Sequence, residues 1–190
     1  EAQHTSIASL SDYVFFVTFG GLSKNYRVAG FRSGWLVVSG NKRLASDYID
    51  GLNILSSMRM CANVPCQSAI QTALGGYQSI NDLVNENGRL RIQRDVTTDM
   101  LNGIDGISCV KPKGAMYCFA KVDEKKFNIH NDEQMVLDLL SSEKILLVHG
   151  RAFNLTEGTY FRLVFLPHSD VLVPALHRIG NFFRTYKQGA

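Results

Sequence analysis

A lysine stands in a glycine-rich segment directly after an apolar run: Gly20-Gly21-Leu22-Ser23-Lys24-Asn25-Tyr26-Arg27-Val28-Ala29-Gly30-Phe31-Arg32-Ser33-Gly34-Trp35. An amine becomes a nucleophile when it loses its proton, and desolvation and nearby cations both favour that loss. Arg27 and Arg32 supply cations. An arginine also grips a phosphate with two parallel hydrogen bonds, which a lysine cannot do. Lys24 and Arg32 lie 8 residues apart, and a loop containing Gly30 and Gly34 can fold back so that both reach one small phosphorylated aldehyde. A solvated basic loop between two strands would use the same residue types.

A further arginine, Arg162, lies in Thr159-Tyr160-Phe161-Arg162-Leu163-Val164-Phe165-Leu166-Pro167. A guanidinium inside so apolar a strand is costly unless it meets an anion. The alternative is an edge strand with the head in solvent. Cys61, Cys66, Cys109 and Cys118 form no CxxC pair, and no histidine stands at ligand spacing, so no metal is expected. Their apolar neighbours suggest buried free thiols in a reducing compartment. His4, His130, His149, His168 and His177 show no ligand pairing, and His149 reads as a strand-end residue.

These residues need elements to hold them. Tyr13–Phe19 is β-branched or aromatic and almost wholly apolar, which predicts a strand buried on both faces in a parallel sheet. Trp35–Ser39 predicts a second buried strand. Helices are expected over 42–60, 66–74, 80–84 and 89–102. Beyond about residue 104 the pattern predicts strands at 107–110, 115–122, 145–148 and 160–166, with helices at 132–143 and 170–186. The fold class is α/β: residues 1–88 read as the end of a larger α/β domain. Residues 89–190 read as a small α+β domain, a mostly antiparallel sheet with helices on one face, and helix 89–102 is the hinge.

The formal charge is +3, from 20 basic and 17 acidic residues, and the basic residues are scattered, so nucleic acid is not an expected partner. No apolar run is long enough to cross a bilayer, which argues against a membrane partner. No secretory signal opens the chain, and the first residue is Glu1, so a piece of a longer or processed protein is expected.

The stretch Ser23–Trp35 closely resembles the lysine signature of the class I aminotransferases, the fold-type-I superfamily that uses pyridoxal 5'-phosphate. Met58–Pro65, Ala69–Ile80 and Lys126–His130 are most similar to the bacterial glutamate–pyruvate (alanine) branch, and the resemblance runs over essentially all 190 residues. It implies that Lys24 forms the Schiff base with the cofactor, that Arg32 binds the cofactor phosphate, and that Ser23 donates a hydroxyl to it. It implies that Arg162 clamps the substrate α-carboxylate. Asn63 would lie near the neighbouring subunit's cofactor in a homodimer; capping the helix that follows explains it equally well. Phe153-Asn154 belongs to a loop that covers the site in relatives. One departure stands out: many relatives carry a serine three residues before the lysine, where this chain has Gly21.

The implied activity is amino transfer between an L-amino acid, alanine or glutamate, and a 2-oxo acid, in the cytoplasm. The aspartate that partners the pyridine nitrogen in relatives lies upstream of their lysine, so a fragment inactive on its own is also implied. The rivals are a fold-type-I C–S lyase and a non-catalytic aminotransferase-derived domain.

Overall fold

The computed structural model describes residues 4–189. In chain order its elements are β1 (Phe15–Gly21), α1 (Leu22–Asn25), β2 (Gly34–Gly40), α2 (Ser46–Arg59), α3 (Val64–Gly75), α4 (Ile80–Val84), α5 (Arg89–Asn102), β3 (Ile107–Cys109), β4 (Tyr117–Val122), α6 (Glu124–Phe127), α7 (Asp132–Glu143), β5 (Val148–His149), β6 (Thr159–Val164) and α8 (Ser169–Thr185), with short 3-10 turns between them. Two compact units divide between Asn81 and Asp82. The boundary expected at 88/89 falls inside the second unit, and α5 with it.

In the first unit β1 and β2 form a two-stranded antiparallel ribbon, from Phe15↔Gly40 to Gly21↔Gly34. This corrects the expected parallel pairing. Only residues 22–33 connect the strands, with no crossover helix to carry the chain back to the starting end. The strands are not buried on both faces: Phe19 and Val37 are exposed, and no residue of α2 or α3 is fully buried. Cys61 is exposed and Cys66 half-buried, correcting the expectation of four buried thiols; Cys109 and Cys118 are buried, and all four are free.

The second unit owns the core. Its sheet has the order β3-β4-β6-β5 and every pairing in it is antiparallel. Alternation along the strands turns Cys118, Ala120, Val122, Phe161 and Leu163 to one side. There they pack with Leu101 of α5, Met135, Val136 and Leu139 of α7, and Leu172, Leu176, Ile179 and Phe183 of α8. The helices therefore cover one face, and the other face carries Tyr117, Phe119, Tyr160 and Arg162.

The ends of these helices are fixed by side chains suited to capping. The Asn131 side chain accepts from the Glu133 and Gln134 N–H groups at the start of α7, and that of Asp123 from Lys126 N–H at the start of α6. After α8 the tail returns. Buried Gln188 accepts through Oε1 from the His130 and Asn131 N–H groups at 2.6 and 2.9 Å, and donates to Asn131 O at 2.7 Å.

Tyr186, at the end of α8, donates to Asp138 Oδ2 at 2.7 Å. Burial, and then the Asp138 carboxylate, push the phenol well above its ordinary value. Above about pH 10 an unfolded tyrosine ionises while the folded one keeps its proton. The unfolded state then binds fewer protons, so stability falls as pH rises. Urea unfolding followed from about pH 9 to about pH 11 is expected to show a larger loss in the parent than in Tyr186→Phe. Equal losses would show that this phenol is not linked to folding.

Candidate active site

The loop joining β1 to β2 is shaped by glycine at its mouth. The indole of Trp35 lies against Gly20, where a Cβ would collide with the ring, and a Cβ on Gly34 would meet Gly20 O at 2.7 Å. The two strand ends can approach only as glycines. Leu22 N–H then donates to Ser33 O at 3.1 Å, and Val28 N–H to Leu22 O at 3.4 Å. Leu22, 1% exposed, and buried Ser33 plug the base of the loop.

This closure puts Ser23 and Arg32 on adjacent chain arms, one residue beyond the Leu22–Ser33 bond, with Lys24 next along in the single turn of α1. Tyr26 Oη donates to Gln78 Oε1 at 3.4 Å and Arg27 Nη2 to Ser79 Oγ at 2.7 Å, so the loop is tied to the segment that follows α3. Arg27 and Arg32 both adopt left-handed backbone, φ 59° and 51°. Non-glycine residues in this region cost on the order of 1–2 kcal/mol each, a strain that clusters at functional sites. Arg32 Nη1 donates to Ala29 O at 2.7 Å.

Lys24 is exposed, as is Arg32, and Ser23 is half-buried. The expected desolvation of Lys24 is not provided: Leu22, rather than the lysine, is the residue the loop buries. The donor set itself fits a phosphorylated aldehyde, with an amine for the carbonyl and a hydroxyl and a guanidinium for the phosphate.

In the second unit Arg162 is not on an edge strand. It pairs with Phe119 of β4 on one side and Val148 of β5 on the other. Its Cζ stands 4.7 Å from the Tyr117 ring centroid and 4.6 Å from that of Phe153. Phe119 extends the aromatic surface, stacked on Tyr160 at 5.3 Å and edge-on to Phe153 at 5.8 Å. Arg162 Nε is buried with no hydrogen-bond partner among the described residues. The aromatic rings attract the cation but offer no oxygen to its N–H groups, which suits an incoming carboxylate. Tyr117 lies in the strand expected at 115–122 and Phe153 in the loop expected to cover the site, but the contact of either ring with Arg162 was not foreseen; the aromatic alternation in Tyr117-Cys118-Phe119 was the available signal.

Asn63 caps α3, accepting through Oδ1 from Cys66 N–H at 3.4 Å, and it is exposed. His149 ends β5 as expected, and its ring faces Asp132.

The model of the family described as aminotransferase class I and II matches residues 1–179. The chain belongs to this family. This aminotransferase chain is 55% identical over 187 residues to the glutamate-pyruvate aminotransferase AlaA of Haemophilus influenzae, covering 98% of the chain and 46% of that protein. It is 52% identical over 188 residues to an alanine aminotransferase of Mycobacterium bovis, covering 99% and 44%. Among solved structures, an aminotransferase from Escherichia coli superposes with a TM-score of 0.97 at 53% identity, over 100% of this chain and 47% of that one. Alanine aminotransferase from Pyrococcus furiosus gives 0.87 at 33% identity, over 97% and 46%. The aminotransferase chain thus spans less than half the length of the relatives it matches, and its mixed helix-and-sheet architecture is that of part of a fold-type-I aminotransferase.

Proposed function

We propose that this chain supplies the cofactor lysine and the substrate-carboxylate arginine for pyridoxal-phosphate-dependent amino transfer between an L-amino acid, alanine or glutamate, and a 2-oxo acid. The observation that carries it is Arg162, a guanidinium on an aromatic sheet face whose buried Nε lacks a partner among the described residues. Membership of an aminotransferase family supports an amino-acid carboxylate as the anion for that site.

In this reading Lys24 holds the cofactor aldehyde, and Arg32 and Ser23 hold its phosphate. When bound, the cofactor supplies an electron sink. Lys24, once free, removes the substrate Cα proton as general base and returns it as general acid. Arg162 fixes the α-carboxylate and so orients the Cα–H bond. Residues 1–88 belong to the cofactor domain and 89–190 to the small domain, with 89–102 as the hinge. The working form is a cytoplasmic homodimer in which the exposed Asn63 sits near the neighbouring subunit's cofactor.

The test is a chimera that joins this chain to the part of Haemophilus influenzae AlaA that the match leaves uncovered. Supplied with pyridoxal phosphate, L-alanine and 2-oxoglutarate, it is expected to form pyruvate and glutamate in equal amounts. Pyruvate and ammonia from a sulfur amino acid, without an amino acceptor, would support a C–S lyase and overturn the reading.

A further inference from the structure

Asp132 is the first residue of α7, and its side chain is only 3% exposed. A buried carboxylate is expensive unless hydrogen bonds or opposite charges meet it. Capping α7 does not need it, since Asn131 already accepts from Glu133 and Gln134 N–H at 2.9 and 3.1 Å. Nor is Asp132 a loose end, because buried Gln188 clamps the preceding His130 and Asn131 backbone.

The Asp132 side chain accepts a hydrogen bond from outside its helix. Its Oδ2 takes the Arg151 N–H at 2.9 Å. Its Oδ1 faces His149 Nδ1 at 3.6 Å and Arg151 Nε at 3.7 Å, beyond hydrogen-bond length, and both Oδ1 and His149 Nδ1 are buried without a hydrogen-bond partner among the described residues. His149 and Arg151 flank Gly150, which opens the short turn Gly150–Phe153. A Cβ on Gly150 would press on Tyr160 Cβ at 3.1 Å, so this turn lies tight against β6. The ring of its last residue, Phe153, lies against the Arg162 guanidinium, as does that of Tyr117.

We propose that Asp132 is a positioning residue for the Arg162 site: by holding the Arg151 N–H it fixes the 150–153 turn, and with it the Phe153 face that aims the guanidinium. The proposal rests on Arg162 as the carboxylate clamp. Asp132 touches no substrate; it acts through the turn.

The test uses the chimera, with steady-state kinetics for L-alanine and 2-oxoglutarate. Asp132→Ala is expected to raise KM for both by about tenfold while kcat stays within about twofold, because uniform binding is lost rather than chemistry. Phe153→Leu is expected to do the same. The double variant should be no worse than either single one, since both cut the same connection. Asp132→Asn keeps an oxygen for the Arg151 N–H and should restore most of the affinity. A residue that only stabilised the fold would lower the melting temperature and leave KM alone.

Additive losses in the double variant, or an Asp132→Ala variant that folds with unchanged KM, would overturn the proposal. Should Asp132→Ala fail to fold, Arg151→Pro deletes the same hydrogen bond from its donor end. A matching rise in KM then supports the proposal and an unchanged KM overturns it. Unchanged KM in Arg162→Ala would instead sink the clamp reading on which this one depends.

Discussion

Lys24→Ala in the chimera is expected to lose amino transfer by about ten-thousandfold or more, since it removes both the cofactor's anchor and the general base. The sequence leaves no substitute nearby. Within residues 22–33 Lys24 is the one amine, and the other two basic residues, Arg27 and Arg32, are guanidiniums that do not release a proton in proteins. Arg27 is also engaged with Ser79. Lys24→Arg should therefore be as inactive as Lys24→Ala, although it keeps the charge. Both variants keep Leu22, Ser33 and the glycine mouth that close the loop, so folding should survive, as circular dichroism would show. Transfer at the parental rate by either variant would remove Lys24 from the mechanism.

Arg162→Ala is expected to raise KM for amino acids by about 10- to 150-fold, the equivalent of about 1.5–3 kcal/mol for a charge-assisted, bidentate contact. Binding of pyridoxal phosphate should change far less, because the proposed phosphate ligands lie on another loop. Arg162→Lys should recover only part of the loss: the ammonium lacks the planar fork and cannot stack on the Tyr117 and Phe153 rings as a guanidinium can. An amine with no carboxylate should react equally poorly with parent and variant. Equal KM values for alanine in parent and Arg162→Ala would show that another group binds the carboxylate.

Local order was more legible in the sequence than pairing. Helices 89–102 and 132–143 fall on the expected spans, the second from the apolar periodicity of Met135, Val136, Leu139 and Leu140. The sheet of the second unit was legible as antiparallel because its strands are short and separated by turns. Strand direction in the first unit was not. Phe15–Phe19 is apolar on both sides of the pleat, which suggested a parallel sheet, and nothing in composition says that its neighbour is the next strand of the chain. The glycines at both ends of the 22–33 loop were the missed hint of a hairpin. β5 was expected at 145–148 but pairs only at Val148–His149. Leu147 is buried beside the sheet without joining its ladder, so apolarity marked burial and not pairing.

At the site, residue types were legible and settings were not. Lys24, Arg32 and Arg162 stand out because a nucleophile or a cation amid glycines or apolar residues calls for a reason. The left-handed backbone of Arg27 and Arg32 left no such trace, since arginine has no preference for it. Asp132 was invisible because Asn131-Asp132-Glu133 reads as an ordinary polar helix start. Its contact with Arg151, 19 residues on, exists only after the turn has folded against β6.

The exposure of Lys24 is the other lesson. A lysine is desolvated by what surrounds it, and the chain spans only 46% of the AlaA relative's length. The chimera restores that length. Incubated with pyridoxal phosphate, reduced with borohydride and digested, it is expected to carry one pyridoxyl group, on the peptide containing Lys24. A pyridoxyl group on any other lysine, with Lys24 unmodified, would contradict the assignment of this loop as the place where the cofactor is held.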